Sequence, residues 1–136
     1  MKVLFDTNLL VPAWLFTNGV CAKAYNKAVS DKNISIVVCT HTFEEFMNAC
    51  NRKFPRDMDK IQSFLSEMFL KVKLINTPPE NEKIPEENLV RDIKDRPVLR
   101  AAVAAKVDII VTGDKDLLES GLTNLKIISP ADFVKF

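Results

Sequence analysis

The stretch DIIVTGDKDLLESG, residues 108–121, decides the fold. Its first half, Asp108 to Thr112, is a short, largely β-branched run that stops at Gly113 and reads as a strand. Asp114 and Asp116 follow, and a short helical pattern from Asp116 to Ser120 ends at Gly121. A strand without a polar face suits a parallel sheet with helices on both sides. The rest of the chain repeats this alternation. Val3–Phe5, Ile34–Cys39, Val72–Ile75 and Lys126–Ile128 are the other predicted strands. Helices are expected over residues 18–32, where Val20, Ala24 and Ala28 recur, and over 42–53, where Phe43, Phe46, Met47 and Cys50 form one stripe. A further helix of about four turns is expected from Met58 to Phe69, and others over 97–106 and 130–136. Asn8 is expected to cap a helix that carries Pro12 in its first turn. Thr77–Glu87, with three prolines, reads as a loop. The prediction is an α/β fold, one domain over residues 1–136, with the strand C-termini and the ligand crevice on one edge of the sheet.

Composition narrows the function. At 47% apolar and 27% charged residues, the chain has the make-up of a folded domain rather than a disordered one. A formal charge of +1 means that any nucleic-acid surface must be local. The three cysteines, 21, 39 and 50, form no CxxC pair and read as buried free thiols in a reducing compartment. The opening MKVLFDTN reaches an aspartate at position 6, which leaves no room for a signal-peptide core, and no apolar run reaches membrane-spanning length. A cytoplasmic location with no membrane partner is the expectation.

Carboxylates gather where strands are predicted to end. Asp6 follows the first strand, Glu44 and Glu45 come soon after the second, Asp95 opens the alanine-rich helix, and Asp114 and Asp116 follow the fourth strand. Each alone reads equally well as a cap: Thr42-Phe43-Glu44-Glu45 has the capping-box pattern, Asp95 precedes Pro97, and Asp114 or Asp116 suits the short helix. Together they would repel, at roughly 1 to 4 kcal/mol for a pair about 4 Å apart. A hard divalent cation relieves that cost, and an all-oxygen set selects Mg²⁺ or Mn²⁺ over zinc. A lone His41 and scattered cysteines offer no zinc set.

These residues resemble a known family. VLFDTNLL at the N-terminus, EEF in the second motif and KDRPVLRAAVAAKVDIIVTGDKDLL near the C-terminus together resemble the PIN domain, in the branch of VapC-like toxins of toxin–antitoxin systems. The resemblance spans almost the whole chain. It implies a Rossmann-like five-stranded parallel sheet in the order 3-2-1-4-5, and a metal-dependent ribonuclease using Mg²⁺ or Mn²⁺. It also implies a small antitoxin partner and a homodimer. Carried over by motif, the catalytic carboxylates are Asp6, Glu45, Asp95 and Asp114, with Asp116 as an auxiliary metal ligand. Glu44 is the alternative to Glu45, and Asp92 to Asp95. Thr7, Asn8 and Thr112 match polar positions flanking the family's site.

RNA must be held through its phosphates. Arg96, Arg100 and Lys115 flank the implied ligands and are the expected RNA contacts. Arg52, Lys53, Arg56, Arg91 and Lys94 read more simply as solvated surface; Trp14, Phe16 and Tyr25 could stack on bases, but burial or an oligomer contact is the simpler role for a Trp near an N-terminal helix. A dehalogenase-like phosphatase also opens strand–Asp but needs a second aspartate two residues on, where Asn8 stands. A receiver domain would want an aspartate ending the third strand, where Asn76-Thr77-Pro78 follows instead. A catalytically silent binding module remains the alternative to the nuclease.

Overall fold

The computed structural model describes residues 1–136. Five parallel strands, β1 (Lys2–Phe5), β2 (Ser35–Cys39), β3 (Val72–Ile75), β4 (Ile109–Val111) and β5 (Lys126–Ile128), form one sheet in the order β3-β2-β1-β4-β5. The helices are α1 (Leu10–Leu15), α2 (Val20–Ser30), α3 (Thr40–Lys53), α4 (Met58–Met68), α5 (Arg96–Ala104), α6 (Lys115–Leu118) and α7 (Pro130–Lys135). The predicted fold class and strand order are observed.

Side-chain alternation explains why the strands read as unbroken apolar runs. Val3, Phe5, Ile36, Val38, Ile109 and Val111 point to one face, into a core completed by Ala24, Phe46, Ile61, Met68 and Phe133 from the helices. Leu4, Val37, Cys39 and Ile110 point to the other, against Val98, Leu99, Ala101 and Ala102 of α5. Helices on both faces leave the central strands no solvent side. Cys39 and Cys50 are buried free thiols, as expected, whereas Cys21 is free but only half-buried. No helix is long and apolar enough to cross a membrane.

Several local expectations are corrected. Asn8 caps nothing: the chain leaves β1 through a 3₁₀ turn, Thr7–Leu9, capped by Asp6, and α1 begins only at Leu10. The Thr42–Glu45 capping box does not form, because α3 starts two residues earlier and Thr42 lies inside it. The Thr42 hydroxyl instead donates to the Cys39 carbonyl at 3.3 Å. Asp95 is no side-chain cap of α5 either: Asp92 caps the 3₁₀ turn Ile93–Asp95 that leads into the helix. Helix α4 begins at Met58 as expected and ends at Met68, about three turns rather than four, with a separate 3₁₀ turn, Pro55–Asp57, before it.

The largest correction concerns the loop after β3. It contains two 3₁₀ turns, Glu80–Glu82 and Pro85–Leu89, and it buries Glu87 against Arg100 of α5. The Arg100 guanidinium donates through Nη2 to Glu87 Oε1 at 2.8 Å and through Nε to Oε2 at 3.2 Å. It also donates to the Pro78 carbonyl at 2.9 Å, while the Ile84 amide donates to Glu87 Oε2 at 2.6 Å. Arg100 is therefore occupied inside the protein and is not available as the RNA contact expected of it. Burial alone would raise the Glu87 pKa, but the Arg100 hydrogen bond, the Ile84 amide and the charges of Arg100 and Arg96 outweigh it and hold it below the ordinary value.

Removing one partner of this pair strands the other charge in the interior. Glu87→Ala is expected to lower stability by about 3 to 5 kcal/mol in urea denaturation, whereas Glu87→Leu combined with Arg100→Met should recover most of it. Because the folded pKa of Glu87 is depressed, its stabilisation is complete above its ordinary value of 4.5 and is lost as pH falls through the folded value. A loss under 1 kcal/mol for the single variant at neutral pH would contradict the burial argument.

Candidate active site

Asp6 is the first residue beyond the central strand, and its amide donates to the Val111 carbonyl at 3.0 Å, extending the β1–β4 pairing by one bond. That places the carboxyl under the end of β4. Thr112, the residue after β4, donates its hydroxyl to Asp6 Oδ2 at 2.7 Å, and the Asn8 amide donates to Asp6 Oδ1 at 3.0 Å. The same Thr112 oxygen accepts the Asp114 amide at 3.1 Å. Asp114 Oδ1 accepts the Asp116 amide at 2.8 Å and so caps α6. One buried hydroxyl thus fixes both Asp6 and the start of the loop that carries Asp114.

Asp95 arrives from the other direction, at the end of the 3₁₀ turn before α5. Its carboxyl is raised to about 8, first by desolvation, then by a hydrogen bond to the Asp114 carboxyl and by the charges of Asp114, Asp92 and Asp6. Asp6, only 4% exposed, is also raised by burial, against the opposing pull of the Asn8 amide and the Thr112 hydroxyl. Asp95 is therefore where two groups of carboxylates meet. Asp6 and Asp114 crowd it from the strand ends, while carboxylate oxygens of Asp92, Asp95 and Asp116 lie within 4.8 Å of one another. Asp116 is partly neutralised by Arg91, whose Nη2 and Nε donate to its Oδ1 at 2.6 and 3.0 Å.

The expected site residues divide three ways. Asp6, Asp95, Asp114 and Asp116 come together, and Asp92 joins them. Glu45 is not among the carboxylates that shift Asp95. It is half-exposed on α3, with its Oε1 3.3 Å from His41 Nε2, and that nitrogen is also 3.1 Å from the Lys94 carbonyl. His41 thereby ties Glu45 to the residue next to Asp95. Glu44 is exposed on the same helix. Asn8 and Lys115 are exposed, and Arg96 is half-buried with Nε donating to the Val90 carbonyl at 2.9 Å. Thr7 and Thr112, expected to flank a substrate, are fully buried. Thr112 acts on the carboxylates rather than on solvent, and the Thr7 hydroxyl has no hydrogen-bond partner.

Sequence reasoning missed the roles of Arg91, His41 and Glu87. His41 and Glu45 stand four residues apart on a helix, a spacing that could have paired them. Nothing in sequence spacing links Arg91 to Asp116. The donor set fits a hard divalent cation: the converging groups are all carboxylates, and neither imidazole nor thiolate is among them.

The crowding has a measurable consequence in the absence of a divalent ion. A carboxyl raised from 3.8 to about 8 keeps its proton in the folded state after the unfolded chain has lost it. Its contribution to stability is full below 3.8 and is lost as pH climbs through about 8. Asp95→Asn should remove that slope, so that in EDTA its thermal midpoint exceeds that of the parent most at alkaline pH and least near pH 4, close to the ordinary 3.8. Parallel pH profiles for the two proteins would contradict the crowding.

Comparison with known proteins identifies relatives of the whole fold. An uncharacterized protein of Methanocaldococcus jannaschii, MJ1680, is 26% identical over 147 residues, covering 99% of this chain and 90% of its own length. Among solved structures, the fold is similar to that in VapBC2 of Rickettsia felis bound to a DNA fragment from their promoter, with a TM-score of 0.68 and 16% identity over 95% of this chain and 98% of that one. It is similar also to DNA-bound VapBC of Salmonella typhimurium, at 0.66 and 12% over 96% and 98%. PAE2754 of Pyrobaculum aerophilum gives a TM-score of 0.66 at 17% identity over 98% of this chain and 87% of its own. The PIN domain family model matches residues 2–116, which include every carboxylate of the cluster, and the chain belongs to the PIN domain family.

Proposed function

We propose that the protein is a metal-dependent endoribonuclease and the toxin of a toxin–antitoxin pair. The observation that carries the reading is the convergence of Asp6, Asp95 and Asp114 at the end of the central strands, with Asp95 raised to about 8 first by burial and then by the neighbouring carboxylates. Like charges are brought this close at a stability cost that a bound cation would remove. Membership of the PIN domain family and a fold shared with VapBC complexes support the same conclusion.

In this reading Asp6, Asp95 and Asp114 hold Mg²⁺ or Mn²⁺, with Glu45 and Asp116 at the margin of the site. The ion would polarise the scissile phosphodiester and lower the pKa of an attacking water. The chain's own residues orient that chemistry. Thr112 and the Asn8 amide each bind one Asp6 oxygen, which fixes the carboxylate plane. Arg91 limits the negative charge of Asp116. Asn8, Arg96 and Lys115 stand at the margin of the carboxylate cluster as RNA contacts. Such a site suits hydrolysis without a covalent enzyme intermediate. A small antitoxin whose segment covers the acidic groove, and a second copy of this chain, complete the proposal; a cytoplasmic setting fits both.

The test is cleavage of mixed RNA by purified protein with Mn²⁺, Mg²⁺ or EDTA. Cleavage is expected with either metal and not with EDTA. Asp6→Asn and Asp114→Asn should each lower the rate by about 100-fold or more, as expected when a few kcal/mol of transition-state stabilisation is removed. Cleavage that persists in EDTA, or in both variants, would sink the metal-dependent reading.

A further inference from the structure

A cleft of about 510 Å³ opens beside the carboxylate cluster, between the segment from Glu80 to Asn88 and the start of α5. That volume is within the range of small-ligand sites and accommodates one nucleotide. The cleft takes Ile93 and Arg96 from the segment that also carries Asp95, although no carboxylate of the cluster lines the cleft itself. Its lining combines polar groups without internal partners and apolar surface. Lys83 and Asn88 make no side-chain hydrogen bond, and Arg96 spends only Nε, on the Val90 carbonyl at 2.9 Å. Ile93, 72% exposed, stands with Pro97 as an apolar face against which a base or ribose can pack.

Three cationic side chains, Lys83, Arg96 and Arg100, and two carboxylates, Glu80 and Glu87, line the cleft, and Glu82 also lies close enough to act on Arg100. Glu87 is neutralised by the buried Arg100, which leaves Lys83 and Arg96 against Glu80. We infer that this cleft is a nucleotide-binding subsite that receives the RNA residue adjoining the scissile phosphate, with Lys83 and Arg96 on the backbone and Asn88 reading the base edge. The inference rests on the ribonuclease reading above. A subsite of this kind supplies base preference, because an amide offers both donor and acceptor to a base while the cations are indifferent to it.

The experiment measures binding of 5′-fluorescein hexamers of A, C, G and U to the full chain by fluorescence anisotropy in EDTA, so that no cleavage intervenes. Lys83→Ala should weaken all four hexamers by about tenfold, the scale of losing one good contact. Asn88→Ala should weaken the preferred hexamer by a similar factor and narrow the differences among the four. Lys23→Ala on α2, which packs against the opposite face of the sheet, should change affinity by less than twofold. Unchanged affinity and ranking in the Asn88 variant, or equal losses in the Lys83 and Lys23 variants, would overturn the subsite. Absence of RNA binding by the parent chain would overturn it too and leave the cleft to a protein partner. Base-ranked binding that depends on Asn88, in a protein that cleaves nothing with metal, would keep the subsite and reject the nuclease.

Discussion

The structure depends on a carboxylate where elementary electrostatics would not place one. Asp6 ends the central strand, is 4% exposed and has no cationic side chain bonded to it. Two dipolar donors hold it, the Thr112 hydroxyl and the Asn8 amide. These are weaker compensation than an ion pair, and the pKa remains raised. Thr112 must then stay at the end of β4, the Thr7–Leu9 turn must follow β1 directly, and the loop through Asp114 must fold back over both. Sheet register and site geometry are one constraint, since the Asp6 amide completes the β1–β4 pairing whose ends carry the acidic groups.

The contrast with Glu87 is instructive. Both carboxylates are buried, yet Glu87 has a bidentate arginine and ends with a lowered pKa, while Asp6 and Asp95 are raised. The first arrangement is internally satisfied and fastens the segment after β3 to α5. The second is unsatisfied by the chain itself. A protein that can neutralise one buried carboxylate fully, and leaves a cluster of others under-compensated a short distance away, has the charge distribution of a cation site. The position of Arg100 also matters for the neighbouring cleft, because its charge is consumed by Glu87 before any substrate could use it.

Much of this was legible in the sequence, for identifiable reasons. The strands announced themselves because both faces of the sheet are covered, so runs such as Ile36-Val37-Val38 carry no polar interruption. The acidic residues were legible because parallel topology sends every strand C-terminus to one edge, and the FDTN and TGDKD stretches fall there. Cap assignments failed where tertiary contacts moved the helix start. Thr40 and Thr77 exchange hydrogen bonds, with the Thr77 amide donating to Thr40 Oγ1 at 3.0 Å and Thr77 Oγ1 accepting the His41 amide at 3.1 Å. That contact comes from 37 residues away and starts α3 before the Thr42 that local pattern favoured. Arg100 was misread for a similar reason: its partner lies in a proline-rich segment that looked like solvent-facing loop. Motif matching set Thr7 and Thr112 as polar positions flanking the carboxylates, but motif spacing carries no information on burial, and both are buried.

The central claim is that these carboxylates form a divalent-cation site, and the most direct measurement is titration of Mn²⁺ into the protein, followed by loss of the free-ion electron paramagnetic resonance signal. The expected result is saturable binding by the parent chain at neutral pH that is lost in Asp6→Asn and Asp114→Asn, while circular dichroism shows both variants folded. Binding that is absent from the parent, or that survives intact in both folded variants, would contradict the account.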